Sequence, residues 1–240
     1  MIRICLIFIF CSSLIKANGQ IGEQAFYGGV MYKNTGLGIS YQSKLDIKEK
    51  VGKQFDVELS TFHHAREVKT FNSELSNPTA FVFGKLNKAA LLKIQYFRSY
   101  KISQFSDAQR VGVDINLGGG FIAGFLKPIY VNIIYPDALG YETIVSEKYN
   151  PLKHTTKSRI AGYADGRLGW SEISTKLGIN LSMSVGFTWG YFTNYPKRLE
   201  TGLYLECFNN GLPIMAFTRN KPLQSGLFVK LFLGKRNSKN

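Results

Sequence analysis

The sequence predicts an all-β fold, an eight-stranded, antiparallel, up-and-down transmembrane β-barrel with long extracellular loops. Three observations lead there: one strand with two fully separated faces, an exported chain that lacks a membrane helix, and an alternation of short and long connections. The strand is Leu177 to Trp189, LGINLSMSVGFTW. Leu177, Ile179, Leu181, Met183, Val185 and Phe187 fall on one side, and Gly178, Asn180, Ser182, Ser184, Gly186 and Thr188 on the other. In a soluble sandwich the polar face normally carries bulky, solvated charges rather than glycine and small hydroxyls. A greasy face and a small, polar face fit a barrel with lipid outside and a narrow, wet inside. The stretch also has the roughly 9 to 11 residues that cross a bilayer at a tilt.

The N-terminus reads as a secretory signal peptide over residues 1–19, with the barrel domain over 20–240. Arg3 is basic, Ile4 to Phe10 is an apolar run too short to span a membrane, and Ala17-Asn18-Gly19 are small residues before a cut at Gln20. Phe10 before Cys11 is bulky where lipoprotein processing takes a small residue, so no lipid anchor is expected. Cys5 and Cys11 leave with the signal. Cys207 remains without a partner for an intramolecular disulfide. Lys, Asn or Glu interrupts every later candidate for the ~18 apolar residues of a membrane helix. A closed barrel is the other structure that satisfies its backbone in lipid.

The elements follow in order. A short strand Phe26 to Lys33 turns at Asn34-Thr35 into a second, Gly36 to Lys44, where Leu37, Ile39 and Tyr41 alternate with Gly38, Ser40 and Gln42. After the polar turn Asp46 to Lys50, the third strand, Gln54 to His63, sets Phe55, Val57, Leu59 and Thr61 outward and Gln54, Asp56, Glu58 and Ser60 inward. Arg66 to Lys85 is a long loop with Pro78. The fourth strand, Asn87 to Ile102, places Ala90, Leu92, Ile94 and Tyr96 against Leu91, Lys93, Gln95 and Phe97. The fifth opens with Val111, Val113, Ile115 and Leu117 alternating with Gly112, Asp114 and Asn116. It meets Gly118-Gly119-Gly120 as a kink within one long strand to Phe125, because the long fourth strand needs a long neighbour. Lys127 to Glu172 is the longest connection, with one helical turn expected near Gly162 to Trp170; such a length is usually functional or mobile.

After the sixth strand, Leu177 to Trp189, and a turn at Asn194 to Lys197, the seventh runs Leu199 to Phe208. It directs Leu199, Thr201, Leu203, Leu205 and Cys207 outward and Glu200, Gly202, Tyr204 and Glu206 inward. A loop Asn209 to Leu223 leads to the last strand, in which Leu227, Val229, Leu231 and Leu233 oppose Phe228, Lys230 and Phe232. All seven prolines fall in connections, as strands paired on both edges require. Connections after strands two, four and six are short, and those after three, five and seven long. That is the asymmetry of bacterial outer-membrane barrels with the N-terminus in the periplasm, and ten strands would put the longest loop on the wrong side. No repeat, second domain or peptidoglycan-binding module is expected.

The formal charge of +14 invites a nucleic-acid reading, but export and the scatter of the basic residues exclude it. A basic exported surface meets the phosphates of outer-membrane lipid and lipopolysaccharide, or keeps the chain soluble before insertion. Aromatic residues gather near strand ends, at Phe26, Tyr27, Tyr41, Tyr100, Phe121, Tyr130, Trp189, Tyr191, Phe192 and Tyr195, as interfacial rings would.

The phrases HHAREVK (His63 to Lys69), FGKLN (Phe83 to Asn87), LKPIY (Leu126 to Tyr130), LETGLYLE (Leu199 to Glu206), LPIMAF (Leu212 to Phe217) and LGKR (Leu233 to Arg236) occur in this order. Together they resemble an uncharacterised family of outer-membrane β-barrel proteins of Bacteroidetes-type Gram-negative bacteria. His64-Ala65-Arg66-Glu67 stands where that family has a His-Pro-Lys-Glu-like phrase. The resemblance implies fold and location, and supplies no catalytic residue.

Little chemistry is expected. His63, His64 and Glu67 lack the HExxH spacing, and adjacent strand residues face opposite sides, so neither metal nor cofactor is assigned. His154 stands alone in a loop and reads as solvated. The inward charges Asp56, Glu58, Lys93, Asp114, Glu200, Glu206 and Lys230 have both signs, and in an interior only wide enough for side chains they are expected to pair. Pro213, Ile214, Met215 and Phe217 form an apolar patch in a loop, either a surface that packs against a partner such as another envelope protein or the barrel's own cap. The role expected is non-enzymatic, structural or interactive, through the outer loops. Three rivals stand beside it: an enzyme on outer-membrane lipid using Ser60, His63 and Glu58 or Glu67, a narrow solute channel, and a soluble periplasmic barrel with the greasy face turned inward.

Overall fold

The computed structural model of the chain describes residues 24–46, 50–75, 79–103, 111–136, 142–190 and 195–237. The expected signal peptide, Pro78, Tyr191 and Phe192 lie outside them. Among the described residues thirteen strands are formed: β1 Gln24–Lys33, β2 Gly36–Asp46, β3 Val51–Phe62, β4 Lys69–Thr70, β5 Phe81–Val82, β6 Asn87–Ser103, β7 Gly112–Pro128, β8 Tyr130–Pro136, β9 Glu142–Lys148, β10 Ile160–Tyr163, β11 Ser174–Trp189, β12 Lys197–Phe208 and β13 Leu223–Asn237. Eight of them close a barrel in the order β1-β13-β12-β11-β7-β6-β3-β2, with every neighbouring pair antiparallel.

The registers fix the barrel's geometry. Starting at Phe187 and stepping across paired residues through Leu199, Leu231, Val30, Ile39, Leu59, Leu92 and Ala123, the walk returns to β11 at Leu177, ten residues away. Eight strands with a stagger of ten tilt by about 40° to the axis and leave an interior that side chains fill.

Period-two alternation decides what that interior contains. Leu177, Ile179, Leu181 and Met183 are exposed on the outer wall, as are Val30, Leu37, Ile39, Leu203, Leu227 and Leu231. Asp56, Glu58, Lys93, Gln95, Asn116, Ser184 and Glu200 are buried inside. The greasy face therefore points out, which removes the inverted soluble barrel. Gly118-Gly119-Gly120 lies within β7, and its pairing with β6 and β11 runs through the three glycines without a shift. They meet a close approach rather than a kink: a Cβ on Gly120 would strike Ile94 O and the Cα of Gln95, and one on Gly118 would strike Tyr96 O.

The connections depart most from expectation. The long one between β7 and β11 folds into a three-stranded sheet, β10-β8-β9. The helical turn expected near Gly162 to Trp170 is instead strand β10 followed by a loop, and short 3-10 turns occur at Lys157–Arg159 and Trp170–Glu172. Phe81, Ile129, Val131, Ile133, Tyr149 and Ile160 make a small core of their own under this sheet. Tyr27 turns inward onto Phe232 instead of joining an interfacial ring, and Phe121 is exposed mid-strand, not at a strand end.

Candidate functional site

The barrel interior is built from side chains two residues apart on each strand. At the end with short turns, Arg198 on β12 donates from both terminal nitrogens to Asp114 on β7, at 2.7 and 3.1 Å, and lies 3.3 Å from Glu200 Oε2. Lys44 on β2 reaches the same Asp114 carboxylate, which also accepts from Ser99 Oγ at 2.9 Å. Ser184 Oγ and Gln42 Nε2 donate to Glu200 at 2.7 and 3.1 Å. Midway, Lys230 Nζ on β13 sits 2.5 Å from Asp56 Oδ2 and 2.7 Å from Glu58 Oε1, both on β3. Ser40 Oγ and Gln95 Nε2 complete those carboxylates at 2.6 and 2.8 Å.

Above this layer, Lys93 lies 2.5 Å from Glu206 and 3.4 Å from Glu58, and Lys33 lies 3.4 Å from Glu206. Both ammonium groups sit about 5 Å from the centre of the Tyr204 ring, at 5.1 Å for Lys33 and 4.9 Å for Lys93. All seven charges predicted from sequence are brought together here. Lys33, Lys44 and Arg198 were missed: Lys33 and Lys44 are the last residues of the first two predicted strands and were given no face, and Arg198 falls between a predicted turn and the seventh strand. Their signal was present in the alternation: Arg198 is two residues from Glu200 and Lys44 two from Gln42.

Five buried acids, Asp56, Glu58, Asp114, Glu200 and Glu206, face five buried bases, Lys33, Lys44, Lys93, Arg198 and Lys230. Among the described residues the formal charges of the filled lumen cancel. Both amide atoms of Gln54, and the side-chain oxygens Gln42 Oε1, Asn116 Oδ1 and Asn180 Oδ1, have no protein partner, so the lumen is polar to its centre and suited to internal water.

At the other end the lumen turns apolar. Phe62, Leu91, Ile122, Leu126 and Phe208 of the barrel pack against Leu212, Ile214 and Met215 of the last loop. Ile214 is 1% and Met215 9% exposed, packed against the barrel rather than displayed, while Pro213 is half-buried and Phe217 is 63% exposed. Four of the six phrases that carry the family resemblance, HHAREVK, FGKLN, LKPIY and LPIMAF, meet at this cap, whereas LGKR lies at the short-turn end. Lys85 pairs with Glu67, Leu86 N–H donates to Ile214 O at 2.8 Å, Ala216 N–H to Gly84 O at 2.7 Å and Asn87 Nδ2 to Pro213 O at 2.7 Å. Ile129 N–H donates to Leu86 O at 2.9 Å, and Phe217 stacks on Phe83. Gly84 takes φ +79°, where a side chain is strained, and lies under the Phe217 ring.

The candidate catalytic residues are not assembled. Ser60 is buried inside the barrel while His63 is exposed beyond the end of β3. Glu58 is engaged by Lys230 and Gln95, and Glu67 by Lys85 and the His64 N–H. Among the described residues no group of three or more His, Cys, Asp or Glu is placed to hold a metal. His154 is buried rather than solvated: its Nδ1 accepts the Asn150 N–H at 3.0 Å and its Nε2 lies 3.5 Å from Glu147. In the outer loops, the Tyr130 hydroxyl donates to Glu172 and Lys148 lies 2.6 Å from it. The Lys148 and Tyr130 hydrogen bonds hold the Glu172 carboxyl below the usual carboxylate range.

Fold and site thus define a closed, eight-stranded antiparallel barrel with an apolar outer wall, a charge-paired filling and a loop cap. No protein-family model and no curated protein matches the chain. Among solved structures it is similar to Neisserial surface protein A, with 12% identity and a TM-score of 0.40 over 90% of this chain and 94% of that one. It is also similar to Ail, the attachment invasion locus protein of Yersinia pestis, solved with the heparin analogue sucrose octasulfate. There the identity is 9% and the TM-score 0.42, over 90% of this chain and 99% of that one.

Proposed function

We propose that the protein is an integral, non-enzymatic barrel of a bacterial outer membrane that acts structurally or through its outer loops, with outer-membrane lipid, lipopolysaccharide and other envelope proteins as its partners. One observation carries the reading: leucine, isoleucine and valine face outward around the wall while the formal charges of the interior cancel. In water such a wall is an aggregation hazard, whereas in a bilayer it is the solvated surface. The described residues of the loop segments 63–75, 79–86, 129–136, 142–173 and 209–222 are tied to one another over one mouth, which suits a fixed platform for recognition.

The test is envelope fractionation with a gel of boiled and unboiled protein, followed by planar-bilayer recording. The reading expects outer-membrane fractions, a mobility shift on boiling and no steady conductance. Soluble, unshifted protein contradicts the location. A steady ohmic current contradicts the closed lumen and makes the molecule a channel. Hydrolysis of outer-membrane lipid by the purified protein, lost in His63→Ala, contradicts the non-enzymatic role.

A further inference from the structure

β6 carries a basic side chain where the wall should be greasy. Arg98 projects outward between Tyr96 and Tyr100 and is exposed, and its guanidinium lies 5.9 Å from the Tyr100 ring centre. Directly opposite it across the β3–β6 pair stands Lys53, also outward and exposed. Like charges directly opposite on a sheet repel, and a cation on the lipid face is costly away from the headgroups. Among the described residues neither side chain pairs with a carboxylate. The arrangement calls for an anion from outside the chain.

A groove of about 760 Å³ starts at the same arginine and crosses the outer wall. One register row, Arg98, Leu117, Met183 and Leu203, forms one bank, and the next, Tyr96, Gly119, Leu181 and Leu205, forms the other. Gly118 and Gly119 leave the floor low between them. Because the strands tilt by about 40°, a row perpendicular to them climbs along the barrel axis, away from the short-turn end and toward mid-wall. The groove is long and apolar, and its one charged end lies toward the short turns.

We propose that this groove holds an anionic phospholipid, with its phosphate between Lys53 and Arg98 and one acyl chain lying along Leu117, Met183 and Leu203. The site rests on the reading that the barrel spans a bilayer, and it sits in the leaflet on the short-turn side. Lys53 and Arg98 supply charge-assisted hydrogen bonds to the phosphate oxygens, and the Tyr96 and Tyr100 rings flank the headgroup.

The experiment is native mass spectrometry of the full chain released from micelles doped with phosphatidylglycerol, with phosphatidylcholine, or with glycerol 3-phosphate. The wild type is expected to retain one phosphatidylglycerol, with an affinity on the order of tenfold above that for phosphatidylcholine, given two basic residues at the headgroup. Lys53→Gln with Arg98→Gln removes that preference, and Leu203→Trp, which fills the groove, lowers retention of both lipids. Glycerol 3-phosphate, which has no chain, is not retained. Each variant is checked for its mobility shift on boiling. If the shift persists and the double variant still prefers phosphatidylglycerol, or if glycerol 3-phosphate is retained as well as the lipid, the site is overturned while the barrel stands. If the wild type itself shows no shift, the bilayer reading falls, and the site with it.

Discussion

Lys230 is the residue on which the middle of the lumen turns. Its ammonium group answers two carboxylates on one strand, Asp56 and Glu58, and all three side chains are buried. Removing one partner of a buried ion pair leaves uncompensated charge, which costs about 3–5 kcal/mol. Lys230→Met is therefore expected to lower the urea-unfolding free energy in lipid vesicles by about that amount. Adding Asp56→Asn and Glu58→Gln is expected to recover a large part of the loss; if the triple variant is no better than the single one, the charge pairing is not what the lysine supplies. A second residue-scale expectation concerns Glu172, whose carboxyl is held low by Lys148 and Tyr130. A depressed folded value means that the tie is present at neutral pH and released as pH falls through that value. Trp170, beside Glu172, should report the release as a fluorescence change on acidification that Glu172→Gln abolishes. The charged lining was legible because alternation assigns each side chain a face, whereas its partners were not, since pairs such as Lys230 and Asp56 are far apart in sequence. The burial of His154 had no signal either, because it depends on Tyr149 and Asn150 closing around the ring in a loop without periodicity.

Among the elements, β7 leaves no room at its three successive glycines. A methyl group on Gly120 meets the backbone of β6 at Ile94 and Gln95, while one on Gly28 of β1 meets nothing within 4 Å. Gly120→Ala is expected to destabilise the barrel by about 1–3 kcal/mol, as overpacking does. Gly28→Ala should stay within about 0.5 kcal/mol, as surface changes do. Both are read from the same urea curves, and equal midpoints would show that the strands can move apart. The eight long strands were legible because each keeps its alternation for five or more residues. The hairpins β4-β5 and β8-β9 and the strand β10 were not. β4 and β5 have two residues each and β10 has four, too few to show a period, and β8, with seven, does not keep one, since Ile133 and Ile134 are both buried.

For the whole molecule, sorting of charge is the main consequence of the fold. Among the described residues ten formally charged groups cancel inside, so the formal net charge of +14 is carried by the rest of the chain. An apolar cap made by Leu212, Ile214 and Met215 then separates the polar lumen from the loops. The apolar loop phrase is legible in the sequence as a patch, but whether it faces a partner or the barrel depends on Phe62, Leu91 and Ile122 arriving from three other strands. The central claim is that the leucine-rich face of every strand meets lipid. It is tested most directly by a bimane label on Leu181→Cys, in a chain whose exposed Cys207 is changed to Ser, reconstituted in vesicles with brominated acyl chains. A label on Leu152→Cys, a loop residue 88% exposed, is the reference. The account predicts that brominated chains quench the Leu181→Cys label strongly and aqueous iodide barely does, with the reverse at Leu152→Cys. Quenching of the Leu181→Cys label by iodide and not by brominated lipid would contradict it.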